Sequence, residues 1–288
     1  MKPAPFDYQA PATLREAIDL LASDPEATVI AGGQSLMPVL AFRLAAPSML
    51  VDLRRVPGLG NIAIGDSGVR LGARVRWRDI EDDQLLATAH PLLREAIAHV
   101  AHYQIRNRGT VGGSLAHADP AAELPGIAVT CDAAITLAGA AGARTLRAGE
   151  FFTGPLSTAR RPDEIITELN LPSWPRNRRW AFQEFAQRQG DFALAGIALF
   201  YDEDQGGRVH NAHVGVIGAC YRPQRLTEVE TLLNGHPVDE GLIRQAAATA
   251  AQAVDPPEDL HAGAAYRRGL VATLVERGLR GAAQPRGA

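Results

Sequence analysis

The order of strand-like and helix-like segments in the second half of the chain constrains the fold most strongly. Three consecutive strand-like segments are followed by three amphipathic, helix-like ones. Such runs are typical of α+β proteins and argue against alternating βαβ units. The strands are predicted over 179–187, 193–201 and 208–218, and the helices over 223–233, 240–254 and 264–279. We expect a small antiparallel three-stranded sheet covered by helices.

The first half of the chain mixes shorter elements of both kinds. Thr13 and Glu16 form a capping-box pattern at the start of a helix. His90 and Pro91 predict a break between two helices within 77–102. Further strands are predicted over 27–31, 48–53 and 164–172, hairpins over 61–73 and 134–149, and helices over 36–44 and 122–131.

A proline-rich segment at 172–178 separates the two halves. Because strands dominate directly after it, we place a domain boundary there. The sequence therefore predicts one domain over residues 1–175 and a second, smaller α+β domain over residues 176–288.

Composition excludes several classes of protein. The net charge of −3 over 288 residues gives no field that would attract nucleic acid or an anionic membrane. Two cysteines, Cys131 and Cys220, cannot supply a disulfide framework or an iron–sulfur cluster in this chain. No apolar run approaches the roughly 20 residues that a membrane span requires, and the N-terminus lacks a signal-peptide pattern. We expect a cytoplasmic protein.

Two glycine turns carry the clearest chemical signal. Both VIAGGQSLMPVL (29–40) and TVGGSLAHADP (110–120) place two glycines before a serine. Glycine permits positive φ and lets a ligand approach the backbone closely. Exposed N–H groups at such turns suit phosphate oxygens, and Ser35 and Ser114 could each add a hydroxyl donor.

Neither turn matches a standard nucleotide fingerprint. The first lacks the lysine of a G-x-x-x-x-G-K-[ST] loop, and neither has the spacing of G-x-G-x-x-G. A single Gly-Gly pair is compatible with a tight structural turn and nothing more. Two similar turns about eighty residues apart instead favour a diphosphate held between two loops.

Three segments together resemble a known family. AGGQSLMPVLAFRL (31–44), QIRNRGTVGGSLAHADPAAELP (104–125) and AAYRR (264–268) are similar to the FAD-binding medium subunits of the molybdenum hydroxylases. This family includes the carbon monoxide dehydrogenase medium chain and the flavin domain of xanthine dehydrogenase. The resemblance extends over essentially the whole chain. It implies a two-lobed, PCMH/VAO-type FAD-binding domain followed by a C-terminal domain like that of the carbon monoxide dehydrogenase flavoprotein.

The resemblance also implies which residues bind FAD. Residues 31–35 would surround the diphosphate and residues 110–114 would hold its other side. Glu123 would bind the adenosine ribose, where many members have Asp, and Ile166 would lie near the adenine or flavin pocket. Gln183 stands where some members have Lys, and Phe192 would lie near the isoalloxazine, where some have Tyr. The full implied set is Val29, Ile30, Ala31, Gly32, Gly33, Gln34, Ser35, Leu36, Thr110, Val111, Gly112, Gly113, Ser114, Glu123, Ile166, Gln183 and Phe192.

The implied function is electron transfer within a three-component enzyme. A large molybdopterin subunit would hydroxylate the substrate and a small subunit would carry [2Fe-2S] clusters. This chain would pass electrons through FAD to an external acceptor, within a dimer of heterotrimers. The scarcity of cysteine agrees with clusters on another chain. Carbon monoxide and N-heteroaromatic compounds, such as purines or nicotine-like alkaloids, are candidate substrates of the complex.

Two other functions remain open from the residues. The chain could be a self-sufficient VAO-type flavin oxidoreductase, although no catalytic base or flavin-attachment residue stands near the turns. It could also be a non-catalytic binding or assembly protein in which the glycines serve only as turns. We predict no catalytic residue and no metal site in this chain.

Residues around the second turn allow more than one interpretation. Asp119 and Pro120 are predicted to cap a helix beginning near Ala121. His117 could lie in the flavin pocket. Arg106 and Arg108 could stabilise the diphosphate, pair with a partner subunit, or form ordinary surface ion pairs.

Two histidine pairs raise the question of a metal. His99 and His102 have i, i+3 spacing on a predicted helix, but no third ligand is near in sequence, which favours packing or surface roles. His210 and His213 are predicted to point to opposite faces of one strand, so they would not share an ion.

Overall fold

The computed structural model describes residues 2–284, and the chain begins in it with a small parallel sheet. Its strand order is β1-β3-β2. Helices connect the strands, which makes the parallel arrangement possible. The strands predicted at 27–31 and 48–53 are confirmed, whereas the first strand was not predicted. The elements are β1 (Asp7–Gln9), α1 (Leu14–Ser23), β2 (Thr28–Ile30), α2 (Leu36–Ala41) and β3 (Met49–Asp52).

The capping box at the start of α1 is confirmed. The Thr13 hydroxyl accepts a hydrogen bond from the Glu16 amide at 3.1 Å. The Glu16 carboxylate accepts one from the Thr13 amide at 3.3 Å. The apolar face that follows is buried against β3.

A five-stranded antiparallel sheet forms the centre of the first domain, with strand order β4-β5-β10-β6-β7. Both predicted hairpins lie in it and are confirmed. β8 and β9 form a separate two-stranded sheet, which the sequence did not predict. The elements are β4 (Ile62–Gly65), β5 (Gly68–Gly72), β6 (Ala134–Gly139), β7 (Gly142–Arg147), β8 (Phe152–Gly154), β9 (Ser157–Thr158) and β10 (Ile165–Pro172).

Helices cover one face of this sheet. The predicted break at Pro91 is confirmed, and His90 caps the helix that follows by accepting a hydrogen bond from the Leu93 amide at 3.2 Å. The region 77–102 contains three helices, because a further break occurs at Asp83. The helices are α3 (Trp77–Asp82), α4 (Gln84–Ala89), α5 (Pro91–His99), α6 (Tyr103–Arg106), α7 (Val111–His117), α8 (Glu123–Thr130) and α9 (Ala148–Phe151).

The second domain is an antiparallel sheet with three helices, so the α+β class is confirmed. The sheet has four strands, which corrects the predicted three. The fourth is only two residues long and pairs beside Gly215 and Val216. The elements are β11 (Arg179–Phe185), β12 (Ala195–Glu203), β13 (Val209–Ile217), β14 (Gln224–Arg225), α10 (Thr227–Leu233), α11 (Glu240–Ala253) and α12 (Ala264–Ala283).

Both faces of this second sheet are covered. Leu199 and Val214 pack with residues of α10, α11 and α12 in one apolar cluster. Phe182, Phe200 and Ile217 belong to a different cluster, which contains the buried residues of α5 and α8. The apolar core of the first domain is therefore continuous with one face of the second sheet.

Within residues 2–284, no helix combines the length and hydrophobicity needed to cross a bilayer. The cytoplasmic location expected from the sequence stays a prediction.

Candidate functional site

The first glycine turn presents open amide donors. The chain leaves β2 at Ile30, and Gly33 adopts φ +73°, in the left-handed region that favours glycine. The Gly33 carbonyl accepts a hydrogen bond from the Met37 amide at 3.0 Å. Among the described residues, the amides of Gly33, Gln34 and Ser35 have no acceptor, and the Ser35 hydroxyl does not cap α2. This arrangement of donors suits an anion.

The first turn lies directly against the start of the second. A Cβ atom on Gly32 would overlap the Arg108 carbonyl group and would lie 3.0 Å from the Gly109 Cα. Only glycine fits this contact, because a displaced neighbour here would be backbone and not a flexible side chain. The structure therefore brings together the two turns that the sequence suggested as one site.

The second turn differs from the first because its amides already have acceptors. Its hydrogen bonds tie it to the segment after β5, and Thr110 caps α7. The expectation of two matching rows of open amides is therefore wrong for this turn, although the Ser114 hydroxyl has no partner among the described residues. The bonds are Val111 N to Val75 O (2.9 Å), Gly112 N to Ala73 O (2.8 Å), Gly113 N to Thr110 Oγ1 (3.2 Å) and Ser114 N to Thr110 O (3.0 Å).

Glu123 lies buried in the first turn of α8. Its carboxyl group accepts a hydrogen bond from its own backbone amide and forms no ion pair within the described part of the chain. Burial, and then the charge of Asp119, raises the pKa of Glu123 to about 7. Asp119 itself accepts a hydrogen bond from the Ala121 amide at 2.8 Å. Because the helix begins only at Glu123, the predicted helix cap at Asp119 is wrong, and Asp119 forms a turn before the helix.

A second buried carboxyl group lies across the domain boundary. The Glu184 side chain on β11 is 5% exposed, and its Oε2 atom has no hydrogen-bond partner. His99 Nδ1 is 3.9 Å from Glu184 Oε1, which is too far for a hydrogen bond. Burial, and then the charge of Glu123, raises the pKa of Glu184 to about 8.

Gln183 lies on the other face of the same strand. Its Cγ atom is 3.7 Å from the position of a Cβ on Gly278 of α12, so it packs toward the second cluster. Side chains alternate across a strand, and Glu184 consequently faces the first domain. The structure does not bring Gln183 to the glycine turns, and its contact with a cofactor stays a prediction. Glu184 was not predicted, because no motif marks it.

Phe192 lies in the loop between β11 and β12, and its side chain is 71% exposed. It lines a cavity of about 620 Å³ together with Asp119, Tyr221 and Arg267. Ile166 is buried on β10 beside a bulge in the pairing with β6, so only its backbone could meet a ligand. The roles implied for Phe192 and Ile166 stay predictions.

Arg267, from the AAYRR segment, joins several parts of this cavity wall. Its Nη1 donates to the carbonyl oxygen of Leu194 at 2.6 Å and to that of Gly218 at 2.9 Å. Its Nη2 donates to an Asp259 carboxylate oxygen at 2.6 Å. Arg267 is itself buried, so these bonds hold the end of the Phe192 loop against β13 and the segment before α12.

The arginines before the second turn have different surroundings. Arg106 donates to the Glu81 carboxylate at 2.9 Å and to the carbonyl groups of Val100 and Ala101. This favours the structural pairing over a contact with a ligand. Arg108 is exposed and forms no ion pair among the described residues.

The histidines form no common site. His99 ends α5 and His102 precedes α6, so the predicted shared helix is wrong. His213 stacks on Phe200 and its Nδ1 lies 2.7 Å from the Thr130 carbonyl oxygen. His210 is exposed. No group of three side chains that could ligate a metal occurs in residues 2–284.

These features fit a dinucleotide such as FAD. The first turn offers open amides to a diphosphate, and Gly32 removes the side chain that would separate the two turns. Glu184 Oε2 is a buried acceptor without a donor, as expected beside a ligand that carries hydroxyl groups.

Two protein-family models match the chain. Residues 4–174 match the FAD binding domain in molybdopterin dehydrogenase. Residues 180–282 match the CO dehydrogenase flavoprotein C-terminal domain.

Curated relatives align over nearly the full length. The chain is 40% identical to the 6-hydroxypseudooxynicotine dehydrogenase complex subunit alpha of Paenarthrobacter nicotinovorans, over 97% of this chain and 95% of that protein. It is 39% identical to the nicotine 6-hydroxylase medium subunit of the same organism, over 96% of this chain and 97% of that protein.

Solved structures agree. Carbon monoxide dehydrogenase from Hydrogenophaga pseudoflava superposes with a TM-score of 0.95 at 32% identity, covering 98% of both chains. Quinoline 2-oxidoreductase from Pseudomonas putida 86 superposes with a TM-score of 0.93 at 38% identity, and the match again covers 98% of both chains. The resemblance seen in the sequence is thus confirmed, and the chain belongs to the FAD-binding medium subunits of the molybdenum hydroxylase family.

Proposed function

We propose that this chain passes electrons from the [2Fe-2S] clusters of a small subunit to an external acceptor, while a molybdopterin large subunit hydroxylates the substrate. Bound FAD would supply the chemistry of accepting and donating electrons; the chain would place it and control its surroundings. Family membership over both halves of the chain supports this assignment.

The contact at Gly32 carries the proposal. The open amides of residues 33–35 would bind the FAD diphosphate, with residues 29–36 forming that side of the site. Residues 110–114 would close the other side by shape and through the Ser114 hydroxyl, since their amides are already bonded. Arg108 forms no ion pair with any described residue, and its backbone carbonyl group lies against Gly32, so its charge would favour a diphosphate at the first turn.

The other proposed contacts are with the adenosine end and the isoalloxazine end of the cofactor. Glu123 would bind the adenosine ribose, and the backbone at Ile166 would meet the adenine or flavin pocket. Phe192 would cover the isoalloxazine, because its exposed ring stands free on a loop. Gln183 is the weakest member of the set, since its side chain packs toward α12.

The assembly proposed is a dimer of heterotrimers, with an FAD-binding domain over residues 1–175 and a C-terminal domain over residues 176–288. Relatives named as medium chains or complex subunits support a multi-subunit enzyme. We propose an N-heteroaromatic substrate, because relatives named for nicotine and quinoline reach 39% and 38% identity, against 31% for a carbon monoxide dehydrogenase medium chain. Co-expression with the neighbouring subunit genes, followed by mass measurement and substrate assays, tests both statements.

The direct test is a visible spectrum of the purified chain and a titration with FAD. We expect flavin absorption, or a colourless protein that binds one FAD per chain. A folded chain that cannot be loaded with FAD would refute the proposal. Reduction of the flavin by an organic substrate, without partner subunits, would instead support a self-sufficient oxidoreductase.

A further inference from the structure

Two buried acidic side chains lie at the boundary between the domains, near enough for the charge of Glu123 to affect the pKa of Glu184. Glu123 enters from the start of α8, and Glu184 enters from β11. Glu123 is 8% exposed and the Glu184 side chain is 5% exposed. The nearest base to Glu184 is His99, whose Nδ1 stays 3.9 Å away and makes no hydrogen bond.

Such a pair destabilises the protein when nothing else is bound. A buried polar group without a partner loses its hydration and gains nothing in return. Here Glu184 Oε2 is in that state, and the Glu123 carboxyl has its own backbone amide as its donor. The carboxyl of Asp119, in the turn before α8, adds further negative charge close to Glu123. Apolar side chains would give a more stable interface here.

The two carboxyl groups of Glu123 and Glu184 indicate what kind of ligand would bind between them. Two buried carboxyl groups, one of them with an oxygen that has no donor, suit a ligand that brings hydroxyl or N–H groups and no negative charge at that point. The sugar hydroxyls of FAD meet this requirement, whereas its diphosphate does not, and the open amides at residues 33–35 are available for the diphosphate.

We propose that Glu184 is a second FAD-binding carboxylate, which accepts a hydrogen bond from a sugar hydroxyl of the cofactor beside the one held by Glu123. This inference rests on the proposed function. It adds to the C-terminal domain a buried carboxyl group that holds the cofactor directly.

The test compares three variants on the full chain: Glu184→Leu, Glu184→Gln and Glu203→Leu. Binding of FAD is measured by the change in flavin fluorescence, and the melting temperature is measured without FAD. We expect Glu184→Leu to weaken FAD binding roughly 10- to 100-fold, the effect of losing one hydrogen bond to a charged group. Glu184→Gln keeps one carbonyl acceptor and should lose less. Glu203→Leu is the matched control, because Glu203 lies on β12 of the same sheet and pairs with Arg179 at 3.1 Å; it should bind FAD as the wild type does.

The melting temperature separates binding from a structural role. Glu184→Leu should melt at or above the wild-type temperature without FAD, because it removes an unpartnered buried carboxyl group. Lower melting with unchanged FAD affinity would overturn the inference, as would an equal loss of affinity in Glu203→Leu. A wild-type chain that binds no FAD would instead refute the proposed function itself.

Competing ligands identify which sugar is bound. ADP carries the adenosine ribose, and FMN carries the ribityl chain. If Glu184→Leu weakens competition by ADP, the hydroxyl belongs to the ribose; if it weakens competition by FMN, the hydroxyl belongs to the ribityl chain. Either result supports the inference, and unchanged affinity for FAD, ADP and FMN contradicts it.

Discussion

Replacement of Arg267 by methionine should destabilise the chain and loosen the loop that carries Phe192. Arg267 is buried and donates to two carbonyl groups, those of Leu194 and Gly218, and to Asp259. Methionine replaces the aliphatic stem of arginine with a shorter, unbranched side chain and donates no hydrogen bond. The two carbonyl oxygens would therefore lose their charged donor.

The loss in the free energy of unfolding depends on whether each partner of Arg267 can form a new hydrogen bond to water. Asp259 is 42% exposed and can regain water, so its ion pair contributes little. The two carbonyl groups cannot, and each lost bond to a charged group costs about 1.5–3 kcal/mol. The variant also removes the Arg267 Nε atom, which is buried without a partner, and this offsets part of the loss. The expected net loss in the free energy of unfolding is roughly 3 kcal/mol, a large share of the 5–15 kcal/mol typical of a domain.

Urea denaturation of Arg267→Met measures this loss, and hydrogen exchange over residues 186–194 measures the loosening of the loop. Arg268→Met is the matched control, because Arg268 is 42% exposed and its partner Asp255 is 88% exposed at 3.5 Å. The control should lose less than about 1 kcal/mol. If Arg267→Met unfolds at the same urea concentration as Arg268→Met, the reasoning about its three bonds is wrong.

Three further outcomes are expected. Gly32→Ala should reduce FAD binding at least about tenfold by forcing the two turns apart, whereas Gly60→Ala, with open space around it, should not, as titration will show. Burial lowers the pKa of His90 to about 3, so the folded state binds a proton less readily than the unfolded state does. Stability should therefore be complete above pH 6.5 and fall as the pH drops toward 3; His90→Asn, which retains a capping side chain, should flatten that curve in acid denaturation. Burial raises the pKa of Cys131 to about 12 and of Cys220 to about 11, so neither thiol should react with a disulfide reagent until the chain unfolds.

Features fixed by local sequence were predictable. The capping box of Thr13 and Glu16 involves residues three apart, and the break at Pro91 follows from a missing amide and a fixed φ. The two glycine turns were also recognisable, because positive φ and close backbone approach both require glycine.

Features that depend on residues far away in the sequence could not be predicted. The amides of Val111 and Gly112 are bonded to carbonyl groups of the segment after β5, nearly forty residues away in the chain, and no local pattern reports this. The short strand β14 exists only because β13 offers it an edge. The choice between Gln183 and Glu184 depends on which face of β11 meets the first domain, and that is decided by packing against α5, α8 and α12.

The sheet of β11, β12 and β13, covered on both sides, has a consequence for how this protein can be divided or recombined. One face belongs to the core that contains α5 and α8, so a fragment ending at residue 175 would expose that core to water, and a fragment starting at residue 176 would expose Phe182, Phe200 and Ile217. Neither half is expected to be soluble alone. A chimaera that exchanges C-terminal domains between relatives would therefore have to exchange the matching faces of α5 and α8 as well.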